Sequence, residues 1–389
     1  MSKTVLICGS DGYIGHSLTL RLLKKGYKVI GIDDFRRRFF VEHEMGSFSA
    51  IPIEHPKERI LKMKEFGDYD SFEINIEGYD SYDLLKEIIK KFEPETIVNL
   101  AQQPSAPFSH KSRKNSYETT FGNVLGTLNI IHAIEETNPN IHYISIGSMG
   151  EYDPSVGIRI PEGFFDFEYV GKTIKNVIYP RRPGSYYHCS KVASTYFIDC
   201  ACRFYGLKAT DIMQGVVYGA WTPEIEETGL NTRLDTDESF GTAFNRFIVQ
   251  AIIGHPLTIF GKGDHSRGFI SLTDAVQCLI LAIENKPNDG EYRTWNQLDE
   301  VYSINNLADE VIDIADKFGI KARKIHIETP RSESTDGFYY NPVVDKLKNL
   351  GFKSTRTIKD ESVYIIENLK DLDLSKLHSV VIPHIKWGK

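Results

Sequence analysis

The sequence predicts an α/β fold, a doubly wound parallel sheet followed by a smaller C-terminal α/β domain. Three observations predict it. Short apolar runs alternate with amphipathic helical patterns over roughly the first 215 residues. Three glycines, Gly9, Gly12 and Gly15, sit where the first run gives way to the first helix. Beyond that region the alternation loosens, and loops rich in Thr, Glu and Gly separate the helical patterns. Buried parallel strands read as continuous apolar runs, and the crossover helices between them cover both faces of the sheet.

Each element follows in order. Residues 5–8 are the first apolar run. Residues 13–25 have helical spacing, which places Ile14, Leu18 and Leu22 on one face. Residues 28–32 are the second run, ended by Asp33 and Asp34. Residues 72–76 read as the third strand, 82–92 as an amphipathic helix and 96–100 as the fourth strand. A long helix is predicted over 112–136, a strand over 142–147, a helix over 186–204 and a strand over 208–217. Two stretches break the pattern. Residues 36–67 read as an insertion after the second strand, packed near whatever the glycine turn holds. Residues 153–184, rich in Pro, Gly and aromatics, read as one long loop of the kind compact domains keep for function. Further helices are expected near 241–253, 272–284 and 304–318. The domain reading is 1–215 for the first unit, with 241–275 returning to it. Most of 216–389 then forms the second unit, over the carboxyl ends of the strands, where such sheets bind ligands.

Composition narrows the function. Lys and Arg number 46 against 53 Asp and Glu, a net charge of −7. That balance speaks against a nucleic-acid surface and permits a local basic pocket for a small anion. The longest apolar stretches, such as 275–283, are far short of the ~20 residues that span a bilayer. No charged and apolar leader precedes the first strand. The five cysteines, Cys8, Cys189, Cys200, Cys202 and Cys278, lack metal-ligand spacing and read as reduced thiols. The expectation is a cytoplasmic protein with no metal, nucleic-acid or membrane partner.

Between the first strand and helix the residues run Gly9-Ser10-Asp11-Gly12-Tyr13-Ile14-Gly15. Gly9 permits a tight turn, Gly12 lets the backbone approach a pyrophosphate, and Gly15 lets helix and strand pack closely. The helix start then presents N–H groups to the anion. Asp33 ends the next strand, where a carboxylate accepts hydrogen bonds from an adenosine ribose and repels a 2′-phosphate. Strand, triplet, helix, strand and acid in that order point to NAD. Arg36, Arg37 and Arg38 leave alternatives open, because guanidinium groups there suit a 2′-phosphate, the cofactor diphosphate or a nucleotide-linked substrate.

Tyr187-His188-Cys189-Ser190-Lys191 sets a Tyr and a Lys four apart on one helical face. The lysine charge lowers the tyrosine pKa, and the ammonium suits a nicotinamide ribose. The tyrosine then acts as general base on a substrate hydroxyl while hydride leaves the adjacent carbon. Ser148 lies just past the 142–147 strand, placed to bond the same hydroxyl. Tyr and Lys at this spacing alone are as well explained by a solvated helix face. Taken in order, the glycine triplet, Ser148 and then Tyr187 with Lys191 resemble the extended short-chain dehydrogenase/reductase superfamily. The resemblance covers essentially the whole chain. It implies a Rossmann domain, a sugar-nucleotide-binding domain and a homodimer formed through 112–136 and 186–204. It also implies NAD contacts from Tyr13, Ile14, Asp34, Arg37, Asn75, Ile76, Leu100, Ala101, Gln103, Asn123, Gln214 and Val217, beside the glycines, Asp33, Tyr187 and Lys191.

Within that superfamily, 4,6-dehydratases carry an acid pair directly after the catalytic hydroxyl residue. Here Met149 and Gly150 follow Ser148. The block Gly147-Ser148-Met149-Gly150-Glu151-Tyr152 is instead similar to the UDP-sulfoquinovose synthase family. So are Gln103 with Ser105-Ala106-Pro107, residues 214–219, 240–247 and 254–258, Gly261-Lys262-Gly263 with Arg267-Gly268, and Phe338-Tyr339-Tyr340-Asn341. The resemblance implies that UDP-glucose and sulfite become UDP-sulfoquinovose. C4 is oxidised by NAD, the C6 hydroxyl is lost, sulfite adds at C6 and C4 is reduced again. Ser148, Tyr187 and Lys191 serve the redox steps. His188 is expected to move the proton at C5 or C6, with a packing role as the alternative. Gln103, Ser148, Gln214, Thr242 and Asn245 are expected on the sugar nucleotide, and Arg267 and Arg331 on its diphosphate. In one departure, plant members carry an arginine, suited to sulfite, where this chain has Pro104. His110, Arg113 and Arg182 are the alternative donors. The competing readings are a UDP-hexose 4-epimerase, a 4,6-dehydratase and a non-catalytic NAD-binding sensor. The presence of both Tyr187 and Lys191 disfavours the last.

Overall fold

Seven of the strands pair edge to edge into one parallel sheet. The computed structural model describes residues 3–153, 158–328 and 341–382. In chain order the strands are β1 (Thr4–Cys8), β2 (Lys28–Asp33), β3 (Tyr69–Glu73), β4 (Thr96–Asn99), β5 (His142–Ser148), β6 (Phe164–Tyr169), β7 (Lys172–Ile178), β8 (Lys208–Gln214), β9 (Val216–Tyr218), β10 (Leu257–Phe260), β11 (Ser266–Ser271), β12 (Tyr292–Gln297), β13 (Glu300–Ser303) and β14 (Lys324–Ile327). The main sheet runs β12-β8-β5-β4-β1-β2-β3, with every neighbouring pair parallel. The chain moves outward from β1 through β2 and β3, then outward from β4 on the other side. Ligands bind at such a reversal, beyond the carboxyl ends of the strands.

Alternation along β1 explains the two faces. Val5 and Ile7 pack with Leu18 and Leu22 of the Tyr13–Lys24 helix and with Val276 and Leu279 of the Leu272–Glu284 helix. Leu6 and Cys8 face the other side, against Leu85 and Ile88 of the Tyr82–Phe92 helix, Ile130 and Ile134 of the Arg113–Thr137 helix, and Ile198 of the Tyr186–Tyr205 helix. Successive side chains of a strand point to opposite faces, so a fully apolar run is buried on both. A separate core joins Phe244, Phe247 and Ile248 to Leu307, Val311, Ile365 and Ile366.

Four expectations change. The third strand lies three residues early, at β3, because it is an edge strand needing little apolar content. Only Tyr69 is buried in it, while Ile74 and Ile76 are buried in the turn beyond, beside the crevice. The 208–217 run is two strands, parted where Gly215 N–H donates to Gln297 O at 2.8 Å. β8 stays in the main sheet and β9 joins β11 and β13. The expected 153–184 loop contains a mostly exposed antiparallel hairpin, β6–β7. Its turn residues Val170 and Gly171 have φ of 50° and 68°, as a two-residue hairpin turn requires. Finally, the Leu272–Glu284 helix and β12 come back to the main sheet, and Ile225, Leu230, Leu347 and Phe352 join the same core. The Ala243–Ile252 helix, within the expected 241–275 return, carries its apolar face into the separate core instead. Among the described residues no helix is long and apolar enough to cross a membrane, and no cluster of His, Cys, Asp or Glu is arranged to hold a metal.

Candidate active site

The crevice opens into a cavity of about 1280 Å³. One small-ligand site occupies ~300–1,000 Å³, so the space suits two ligands. Gly9, with φ +85°, crosses so close to β4 that a Cβ would lie 2.6 Å from Leu100 C. A Cβ on Gly15 would lie 2.0 Å from Gly9 O. The helix that begins at Tyr13 has no side-chain cap, so its first N–H groups remain for an anion. Asp33 accepts from Asp11 N and Phe35 N, each at 2.8 Å, which leaves a lone pair on each oxygen for ribose hydroxyls. Burial pushes its carboxyl up to about 7.

The three consecutive arginines are already matched. Arg36 pairs with Asp34 and Glu77, Arg37 Nη2 lies 2.7 Å from Asp235 Oδ2, and Arg38 Nε lies 2.6 Å from Asp11 Oδ2. None brings an uncompensated charge to a 2′-phosphate, so the glycine cradle, Asp33 and these pairs fit NAD. Gly12, Ile14, Asp34, Arg37, Asn75, Ile76, Leu100, Ala101, Gln103, Asn123, Gln214 and Val217 all line the cavity. Asn123 is fully engaged within the protein: Oδ1 accepts from Gln103 N at 2.8 Å, and Nδ2 donates to Gln103 O and Ser190 Oγ. It holds the Gln103 turn against the Tyr186–Tyr205 helix. Gln103 Nε2 is buried with no protein partner, a donor left over at the cavity wall.

At the other end Ser148 closes β5, and Tyr187 lies in the first turn of the Tyr186–Tyr205 helix, which Ser185 caps. The Ser148 side chain stands close enough to the Tyr187 hydroxyl to favour its ionised form. Lys191 Nζ donates to Ile146 O at 2.6 Å and to Gln102 Oε1, and lies 5.7 Å from the centre of the Tyr187 ring. The expected lowering of the Tyr187 pKa is overturned here. Burial pushes it above the ordinary range, an ionised Glu151 would push it further, and Ser148 opposes only part of that. The lysine ammonium is directed at two neutral oxygens rather than at the phenol. Burial lowers its own pKa.

His188 also lines the cavity, with Nδ1 2.8 Å from Ser185 Oγ and its ring 4.7 Å from that of Tyr187. A Cβ at residue 150 would lie 2.3 Å from His188 Nε2. Gly150 therefore makes the space that the imidazole occupies, where a dehydratase-like acidic side chain has none.

On the second wall, Gln214 donates to Gln297 Oε1 at 2.8 Å, Thr242 Oγ1 is buried without a protein partner, and Arg267 lines the cavity. Asn245 does not line it. Its Oδ1 accepts from Gly219 N at 2.9 Å, so this expected substrate contact is a brace for the turn after β9. Arg331 lies outside the described residues. Of the alternative sulfite donors, His110 and Arg182 line the cavity, whereas Arg113 lies on the outer face beside Tyr117. Sequence reasoning passed over Gln102, Arg246 and His265, which also line it, and the buried Glu151. Only Glu151 carried a local signal. Ser148-x-x-Glu151 is a capping box, and both of its bonds form.

Residues 5–296 match the NAD dependent epimerase/dehydratase family, a span that ends at the close of the main sheet. The chain is 40% identical to the UDP-sulfoquinovose synthase of Sulfolobus acidocaldarius, over 99% of this chain and 98% of that one. It is 37% identical to the chloroplastic UDP-sulfoquinovose synthase of Spinacia oleracea, over 100% of this chain and 80% of that one. The solved UDP-glucose 4-epimerase of Thermotoga maritima, in complex with UDP-glucose, shares the fold with a TM-score of 0.69 at 20% identity, over 94% of this chain and 99% of that one. Glycine cradle, paired arginines, Ser148 beside Tyr187, and a match that runs through both cores lead to one conclusion: the chain belongs to the NAD dependent epimerase/dehydratase family, in the group of the UDP-sulfoquinovose synthases.

Proposed function

We propose that the protein converts UDP-glucose and sulfite into UDP-sulfoquinovose and water. One observation carries the choice of reaction. Identity to the two synthases is 40% and 37% from end to end, against 20% for the epimerase that shares the fold.

NAD, which the glycine turn and Asp33 would hold, would supply a hydride acceptor for the oxidation at C4 and a hydride donor for its later reduction. The protein's own groups do the rest. Ser148 bonds the 4-hydroxyl and Tyr187, as phenolate, removes its proton. Lys191, with its ammonium held on Ile146 O and Gln102 Oε1, gives the phenolate a positive charge only at a distance, a partial offset to its burial. The 4-ketone acidifies the C5 proton. His188, on the wall beside Tyr187, takes that proton and passes one to the C6 hydroxyl, which leaves as water. Bisulfite, the protonated form of sulfite, then forms a carbon–sulfur bond at C6 of the enone while its proton goes to C5, and Tyr187 returns its proton to O4. Replacing His188 with Asn is expected to preserve 4-keto formation and stop loss of the C6 hydroxyl. Product analysis by NMR checks this, and loss of both steps, or of neither, rejects the role.

Sulfite is an anion. His110 stacks on Tyr186, with ring centres 4.6 Å apart, and Arg182 lies just ahead of the catalytic helix. The Arg182 guanidinium, with His110 as a second polar group lining the same cavity, takes over the task that Pro104 leaves open. A double variant, R182Q with H110Q, is expected to raise the sulfite concentration for half-maximal rate roughly tenfold or more, the scale of one charge-assisted hydrogen bond. Formation of the 4-keto sugar should stay the same. A rate independent of sulfite in the unaltered protein would count against the function itself.

A homodimer through the Arg113–Thr137 and Tyr186–Tyr205 helices completes the proposal. Tyr117, Phe121 and Leu125 lie four apart and exposed on the first, and Tyr196, Phe204 and Tyr205 are exposed on the second. Light scattering decides its mass. All five cysteines are free, in keeping with a reducing cytoplasm.

A further inference from the structure

Beneath the catalytic wall lies a charged cluster that the steps above do not use. Glu151, Asp211 and Thr195 are fully buried, and the Arg181 guanidinium lies 3.7 Å from Glu151. Glu151 Oε1 accepts from Ser148 N at 2.7 Å. Its other oxygen, Oε2, is 3.2 Å from Thr195 Oγ1. The same Thr195 oxygen is 3.1 Å from Asp211 Oδ2, which also accepts from the Tyr292 hydroxyl at 2.8 Å.

A hydroxyl carries one hydrogen, so Thr195 can donate to only one of these carboxyl groups. If both acids were ionised, its lone pairs would face the other carboxylate at hydrogen-bond distance with no proton between them. Two buried acids so close to one hydroxyl also resist joint ionisation. Two placements of a single proton satisfy the Thr195 contacts, and Tyr292 separates them: a proton on Asp211 Oδ2 would turn the Tyr292 hydroxyl towards the weakly accepting oxygen of an acid O–H, whereas a proton on Glu151 leaves Asp211 a full carboxylate acceptor. Glu151 is protonated on Oε2 and donates to Thr195. Thr195 donates to Asp211, which remains the carboxylate that two hydroxyls address. Glu151 Oε1 is then a carbonyl oxygen, accepting from Ser148 N–H.

We propose that Glu151 is a neutral carboxylic acid and a positioning residue, holding one proton on a Glu151–Thr195–Asp211 chain that fixes Ser148 and sets the charge behind Tyr187. The inference rests on the hydride step of the reading above and not on its sulfite step. Around Glu151 stand Arg181 ahead of the catalytic helix, Tyr187 and Lys191 on it, Asp211 on β8 and Tyr292 on β12. With the proton in place, Lys191 and Arg181 face a single carboxylate, and one positive charge is left for the Tyr187 phenolate to match. Loss of the proton cancels that charge and sets a carboxylate behind the phenol, which opposes its ionisation. Burial raises the Glu151 carboxyl above its usual range; Arg181 opposes and Asp211 assists. The proton belongs to the pair, and the hydroxyl contacts place it on Glu151.

The test mixes the NAD-loaded protein with UDP-glucose, without sulfite, and follows NADH absorbance across pH for the unaltered protein, E151Q and E151A. Glutamine copies the neutral acid, since its carbonyl accepts from Ser148 N–H and its amide donates to Thr195. E151Q should therefore outpace E151A by roughly tenfold, the worth of the backbone bond that alanine gives up. The rate of the unaltered protein should stop rising with pH as Glu151 ionises, and that of E151Q should go on rising. E151Q no faster than E151A, or a levelling-off identical in E151Q and the unaltered protein, overturns the proposal. Isotope-edited infrared spectra give an independent check. A protonated-carboxyl band at neutral pH, absent from E151Q, supports the proposal, and no such band overturns it. If UDP-glucose produces no NADH signal in the unaltered protein, the functional reading fails, while the infrared result still decides this one.

Discussion

Replacing Tyr187 with Phe is expected to lower turnover by ~10²–10⁴-fold, the scale of a lost general base. Binding of NAD should be unaffected. The substitution removes one oxygen and retains the ring, which packs against Ala106 in the wall of the site. The lost oxygen is the one that stands beside Ser148. Rapid mixing with UDP-glucose and a record of NADH absorbance would show the loss, and calorimetry would show that the cofactor still binds. The pH dependence has a definite sign. Burial holds the Tyr187 phenol above its ordinary range, so the free protein has little phenolate near neutrality. The first hydride step therefore accelerates as pH rises, until ionisation of Glu151 opposes it. A near-normal rate in the phenylalanine variant would remove Tyr187 from the chemistry.

Replacing Gly15 with Ala is expected to abolish NAD binding and to destabilise the fold by ~3 kcal/mol or more. Overpacked side chains usually cost ~1–3 kcal/mol, because flexible neighbours give way. Here the new Cβ would stand 2.0 Å from a backbone oxygen, Gly9 O, in a turn pinned by Gly9 N–H to Ile32 O at 2.7 Å. The strand and the Tyr13–Lys24 helix would have to part, and the uncapped N–H groups at the helix start would move with them. Thermal unfolding and titration with NAD check both effects. Unchanged NAD affinity would show that the cradle is not the cofactor site.

Local signals made the cofactor turn legible. Gly9, Gly15 and Asp33 act through backbone geometry within one strand–helix–strand unit, so spacing alone describes them. Ser148, Tyr187 and Lys191 were legible through their order along the chain. Asn245 was not, because its neighbour Gly219 comes from a different segment, and only the folded chain shows the amide turned towards it. The three arginines after β2 stayed ambiguous for the same reason. Their partners Asp11, Glu77 and Asp235 are distant in sequence, and the pairing decides whether a 2′-phosphate is welcome. The Tyr187 pKa was misjudged because helical spacing shows the lysine nearby but not the burial, nor the oxygens of Ile146 and Gln102 that draw the ammonium away. The β6–β7 hairpin was hidden by the prolines and glycines that flank it, although the alternation in Phe164–Tyr169 is that of a strand.

The central claim is the formation of a carbon–sulfur bond on a nucleotide sugar. Mass spectrometry of the purified protein incubated with UDP-glucose, with and without sulfite, tests it most directly. The account predicts a product only when sulfite is present, in which a sulfonate replaces the C6 hydroxyl and one water is released. A sulfite-independent conversion to UDP-galactose, or loss of water with no sulfur gained, would contradict it.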